Sequence, residues 1–110
     1  MAFRIVPSPT FRVKVPLTVP GAEARGVIEI EFRHKGRTEF AEWWQSVDGR
    51  KDAEIIGDVI AGWSDVIGQA GEQEAYTPEA LALLLDRFPA AAIELRDAYT
   101  RALFEAREKN

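Results

Sequence analysis

An α+β fold is what this amino-acid sequence predicts, with an antiparallel β-hairpin first and about four α-helices after it. Two patterns carry that expectation. Between residues 11 and 33 apolar residues recur at every second position, whereas from residue 38 onward they recur at three- and four-residue spacing. A third observation agrees with the division. Residues 1–40 hold seven Lys/Arg and four Asp/Glu, a balance of +3, while residues 41–110 hold seven and fourteen, a balance of −7. The 110 residues suffice for a single domain with its own core, made of a hairpin region over 1–36 and a helical region over 37–110.

The first strand is predicted from Phe11, Val13, Val15, Leu17 and Val19, which alternate with Arg12, Lys14, Pro16 and Thr18. The second is predicted from Ile28, Ile30 and Phe32, which alternate with Glu29, Glu31 and Arg33. The stretch from Pro20 to Gly26 between them is rich in turn formers. A register that pairs Val15 with Ile30 also sets Leu17 against Ile28, Val13 against Phe32 and Lys14 against Glu31. Pro16 has no N–H to give to a ladder, which places this strand at an edge or a bulge. Phe3-Arg4-Ile5-Val6 is a candidate third short strand, stopped by Pro7 and Pro9, or a segment that lies against a neighbour. A two-stranded hairpin is marginal alone, so the protein's own helices or another chain must cover it.

The first helix is expected to start at a Thr38 cap, to present Phe40, Trp43, Trp44 and Val47, and to end at Asp48-Gly49. The second is expected over residues 51–63, with Ala53, Ile56, Val59, Ile60 and Trp63 on one side and Gly57 and Gly62 weakening it. Residues 64–76 contain Gly68 and Gly71 and little periodicity, and read as a mobile loop. Thr77-Pro78-Glu79 is a strong helix start, followed by Leu81, Leu84, Leu85 and Phe88 on one face. Pro89 then turns the chain into a last helix reaching about Lys109, with Ala92, Leu95, Tyr99, Ala102 and Ala106 as its main stripe and Ile93 and Leu103 off it.

Composition excludes several kinds of chemistry. There is no cysteine, hence no disulfide framework, thiol catalysis or cysteine-bearing zinc site. One histidine, His34, cannot build a multi-histidine metal site, and nothing near it in sequence orients it as a base. Asp48, Asp52 and Asp58 do not follow calcium-loop spacing, and Gly57, Gly62 and Gly68 are not a phosphate-binding loop. Ser46 and Ser64 lack a nucleophile context. No catalytic, metal or cofactor site is expected, and the protein is read as not an enzyme. No apolar run approaches the ~18 residues of a membrane span, and no signal-peptide core opens the chain, so a cytoplasmic protein without a membrane partner is expected. A net charge of −4 argues against nucleic-acid binding, which needs a basic surface. The unequal charge of the two halves admits head-to-tail association, basic half against acidic half, beside the plainer reading of two differently solvated faces.

The aromatic residues say more. Trp43 and Trp44 are adjacent and point about 100° apart on a helix, so both cannot centre one narrow buried stripe. Tryptophan is at home in cores and is enriched at binding hot spots.

Four stretches together resemble the small tail assembly chaperones of long-tailed bacteriophages, a family also found in prophages. They are the opening from Phe3 to Phe11, the junction from Phe32 to Thr38, the segment from Asp58 to Val66 around Trp63, and the run from Tyr76 to Pro89 continuing to Tyr99. The resemblance implies a non-catalytic protein of the bacterial host cytoplasm. Its partner would be the tape measure protein, a long and largely helical chain, which it would keep soluble until the tail tube protein, a further candidate partner, polymerises around it. It also implies a homo-oligomer, and in some members a longer product made by frameshifting near the gene's end, for which Arg107-Glu108-Lys109-Asn110 is a candidate junction. Trp44, Trp63, Ile93, Tyr99 and Leu103 are the candidate protein-binding residues, chosen for aromatic or off-stripe apolar character. A structural tail completion or connector component of the virion, and a generic protein-binding adaptor, are the alternatives.

Overall fold

The computed structural model describes residues 2–105. Seven elements follow one another: β1 (Thr10–Leu17), β2 (Gly26–Arg33), α1 (Arg37–Gln45), α2 (Asp52–Gly57), β3 (Ile60–Ser64), α3 (Pro78–Arg87) and α4 (Ala91–Phe104). The expected α+β class holds, as do the N-terminal antiparallel hairpin and the count of four helices. The strands form one antiparallel sheet in the order β1-β2-β3. The expected continuation of the last helix through Ala106 to about Lys109, and the polar end from Arg107 to Asn110, lie outside the described residues.

Three expectations are corrected. The first is the register. Val15 faces Ile28, Lys14 faces Glu29, Val13 faces Ile30 and Phe11 faces Phe32, two residues away from the expected pairing. A two-residue slip keeps every side chain on its face, so periodicity alone could not tell the two apart. The ladder ends at Leu17 opposite Gly26, and beyond it the Thr18 N–H and hydroxyl both donate to the Glu94 carboxylate on α4, at 2.9 and 2.6 Å.

The second correction concerns residues 51–63, expected as one helix. The helix stops at Gly57, and Ile60–Ser64 instead forms β3, with Trp63 opposite Ile30 on β2. Short apolar runs rich in β-branched residues suit either structure. Here the open edge of β2 offered ladder partners, and Gly57, Val59 and Gly62 left the helix little to lose. The candidate strand Phe3–Val6 does not join the sheet; the third strand is β3. A register shift between Glu31 and Phe32 accommodates one extra residue in β3.

The third correction is local. Gly36, not Thr38, caps α1, and the Glu39 carboxylate accepts the Gly36 N–H at 3.1 Å. The α3 start is as expected: Thr77 Oγ1 accepts the Ala80 N–H at 3.0 Å and Pro78 stands at the first turn. The loop between β3 and α3 folds on itself through an Ile67–Gln73 bridge and a Glu74 N–H to Val66 carbonyl bond of 2.7 Å.

The helices cover one face of the sheet. Val15, Leu17, Ile28, Ile30 and Phe32 meet Trp43, Ile55, Ile56, Leu81, Leu95 and Tyr99 in one core. The other face is polar, with Arg12 paired to Glu29 at 2.8 Å and Thr10 donating to Glu31 at 2.9 Å. Tyr99, expected at a binding surface, is fully buried at 0% exposure. Its ring lies 5.0 Å from Phe32, 5.5 Å from Trp43 and 6.3 Å from Phe11, centroid to centroid. Its hydroxyl donates to the Arg33 carbonyl at 2.8 Å. Burial, with the Glu39 charge adding to it, pushes the phenol up from 10.0 to about 12.

A neutral Tyr99 is therefore favoured by folding. Its contribution is complete below the ordinary pKa of 10.0 and is lost as pH rises towards about 12. Tyr99→Phe should lower stability by about 1 kcal/mol at neutral pH, and should lose less on going from pH 10 to 12 than the parent chain, as read by denaturant unfolding. Glu94 has the opposite dependence. Burial on its own raises its pKa, but the two Thr18 hydrogen bonds and the Arg25 charge outweigh it and hold the carboxyl below 4.5. That contribution is present above the ordinary value and is lost as pH falls through the lowered one. Glu94→Gln should therefore flatten the stability profile on the acid side, seen in melting temperatures across that range.

Candidate protein-binding surfaces

The five sequence-predicted residues divide between two apolar surfaces, the core and an isolated site. The first surface begins with the Trp43-Trp44 pair. Helical geometry sends Trp43 inward, where it is 4% exposed and its Nε1 donates to the Ile55 carbonyl at 3.3 Å. Trp44 faces out at 49% exposure. Phe40 stacks on Trp44 at 5.8 Å and meets the exposed Phe104 ring edge-on at 5.0 Å. The Arg96 guanidinium lies 5.4 Å from the Trp44 ring centre, a cation–π contact between α4 and α1. The result is an aromatic ridge where α1 crosses the end of α4. Leu103, beside Phe104 in the chain, is half-buried against the core rather than free.

The second surface is a groove of about 340 Å³ between α3 and the turn after β3. Trp63, Val66, Ile67, Leu83, Leu84 and Phe88 line it. Trp63 is held there from two sides. Its Nε1 donates to the Glu74 carbonyl at 2.8 Å, and its ring meets Tyr76 edge-on at 5.1 Å. Burial raises the Tyr76 phenol above its usual value, against a smaller opposite pull from Arg33. Ile67 and Leu83 stand exposed within the groove. Polar side chains, among them Glu79 and Arg87, also line it.

Ile93 is exposed on the solvent side of α4 and belongs to neither surface. The structure thus keeps Trp44 and Trp63 as surface candidates on separate faces, leaves Ile93 isolated, and assigns Tyr99 and most of Leu103 to packing. Sequence reasoning missed Ile67, Leu83 and Phe104. Leu83 carried a legible signal, since the stripe Leu81, Leu84, Leu85 and Phe88 leaves it on the opposite side of the helix. Ile67, inside a glycine-containing loop, carried none.

Two of the residues considered for chemistry have structural contacts. Asp58 pairs with Arg50 at 2.9 Å, closing the loop before α2. The backbone N–H of His34 donates to the Pro9 carbonyl at 2.9 Å and extends the β1–β2 ladder. Among the described residues, no three His, Asp or Glu side chains gather as a metal site, and no helix is long and apolar enough to cross a membrane.

The two tryptophans of α1 separate packing from surface exposure. Trp43→Ala should cost about 3–5 kcal/mol through the cavity it leaves. Trp44→Ala should cost under about 1 kcal/mol, because it removes half-exposed area and one cation–π contact. Denaturant titration of the two variants tests this directly.

The comparisons with known proteins bear on what these surfaces serve. No curated protein and no solved structure gives a significant match to the chain. A family model described as phage tail assembly chaperone does, over residues 1–110. With a match along its whole length, the chain belongs to the phage tail assembly chaperone family.

Proposed function

We propose that this chaperone works in the bacterial host cytoplasm by binding the tape measure protein and covering its apolar helical stripes during tail assembly. The observation that carries the proposal is the groove beside α3, with Trp63 as a fixed wall and Ile67 and Leu83 exposed within it. An amphipathic helix presents apolar residues at i, i+3, i+4 and i+7, and a trough lined by apolar side chains together with polar ones suits that face. Each apolar contact contributes roughly 25 cal/mol per Å² before the costs of association are subtracted. Contacts of this size are individually weak, and repetition along a long client supplies avidity while each one stays displaceable by tube subunits. The action is non-catalytic: shielding needs complementary surface and reversible contact, and no bond is made or broken.

Ile67→Asp/Leu83→Asp places two charges on exposed positions of the groove, where they should disturb folding by less than about 1 kcal/mol. Co-purification of the full chain with tape measure fragments should then fall at least tenfold. Trp44→Ala, on the other surface, should leave it unchanged. A folded double variant that still captures the fragments as the parent does would refute the groove assignment. Loss with Trp44→Ala alone would move the client to the aromatic ridge.

A further inference from the structure

The free edge of β1 has a defined pattern of unused hydrogen-bonding groups. Pro16 has no N–H, yet the ladder runs unbroken from Thr10–Arg33 to Leu17–Gly26. Pro16 and Val27 therefore form a non-hydrogen-bonded pair, and alternation turns the backbone of Arg12 and Lys14 away from β2 as well. Three hydrogen bonds agree with this phase. The Pro9 carbonyl accepts from His34 on the β2 side. The Thr18 N–H donates to Glu94 on the opposite side, and the Thr10 carbonyl accepts from the Ser8 hydroxyl at 2.9 Å. Between those two capped ends, the N–H groups of Arg12 and Lys14 and the carbonyls of Arg12, Lys14 and Pro16 have no ladder partner among the described residues.

A groove of about 800 Å³ runs beside this edge, between β1 and α4. Phe11, Val13 and Val15 from the strand and the small Ala98 and Ala102 from the helix lie along it, together with charged side chains that include Asp97 and Arg101. A strand added to β1 would send alternate side chains into that space.

The chain carries a segment suited to the task and leaves it uncovered. Phe3, Ile5 and Val6 are 94%, 90% and 77% exposed, the highest values among the large apolar side chains described. Four extended residues span about 13 Å and the free stretch from Arg12 to Pro16 about 16 Å. Return of the segment to its own β1 edge is disfavoured. Only residues 7–9 separate it from the strand, Pro7 and Pro9 hold Val6 and Ser8 extended, and Ser8 already occupies the Thr10 carbonyl where such a turn would close.

We propose that Phe3–Val6 of one copy adds as a strand to the free β1 edge of a second copy, with Phe3 and Ile5 entering the β1–α4 groove. Backbone hydrogen bonds supply the attachment and the two side chains its register. Arm and edge are different surfaces, so two copies either exchange arms reciprocally or pass them onward head to tail. This contact does not depend on which client the chaperone binds.

Sedimentation of the full chain should show a mass that rises with concentration. Phe3→Asp/Ile5→Asp should raise the dissociation constant at least tenfold while its circular-dichroism melt stays unchanged. The absence of cysteine permits a second test. A Val6→Cys chain mixed with a Lys14→Cys chain should form a covalent dimer with a short bis-maleimide, whereas Val6→Cys mixed with Asp86→Cys, on exposed α3, should not. A parent chain monomeric at every concentration, unchanged association of the aspartate variant, or cross-linking no better than the control would overturn the proposal. So would cross-linking within one chain when Val6→Cys and Lys14→Cys are combined in a dilute monomer.

Discussion

Tyr99 ties the sheet, α1 and α4 together, and the rest of the packing is arranged around it. Its ring fills the space between Phe11 and Phe32 on the sheet and Phe40 and Trp43 on α1. Its hydroxyl reaches the Arg33 carbonyl at the end of β2 and so is buried with a partner. That bond sets the height of α4 over the sheet. The Glu94 bonds to Thr18, near the other end of the same helix, set its direction. With α4 held at two points, Ala91 and Leu95 join the core, and the side of α4 carrying Ile93 and Phe104 is left to solvent.

The apolar surface left over is distributed rather than pooled. The groove by α3, the aromatic ridge at α1 and the exposed arm before β1 lie on different parts of the molecule. Each is built differently. The groove is a trough with one rigid tryptophan wall, the ridge is a convex cluster braced by Arg96, and the arm is a short chain segment with no packing of its own. A trough fits a helix, and a bare segment fits a sheet edge, so the shapes argue for different partners.

This division suits the family to which the chain belongs. The two proposals fit one another: a chaperone for a long helical client would gain by presenting the same weak site many times, and association of copies through a surface other than the proposed client groove would provide the repetition. The polar outer face of the sheet, with its Arg12–Glu29 pair and the Thr10–Glu31 bond, would keep such an assembly hydrated on one side. The unequal charge of the two halves of the chain does not translate into two opposed bodies, because β3 from the acidic half completes the sheet begun by the basic half.

Sequence alone determined the features set by neighbours along the chain. The hairpin strands with their buried and wet faces, the Thr77-Pro78 helix start and the split between Trp43 and Trp44 all follow from spacing and local chemistry, and Pro16 narrowed its strand to an edge or a bulge. The membership of the family was legible as well, because the resemblance is spread over most of the chain. Only the tertiary structure decided what depends on distant partners. The register is one such feature, because a two-residue slip keeps every side chain on its face and only the paired strands show which pairing holds. The conversion of Ile60–Ser64 from helix to strand turned on the open edge of β2, since a short β-branched run is nearly indifferent between the two and long-range pairing tips it. Tyr99 moved from the surface to the core, and Leu83 took its place among the exposed residues, for a related reason: a helical stripe shows which side chains share a face, but only the packed neighbours show which face is covered.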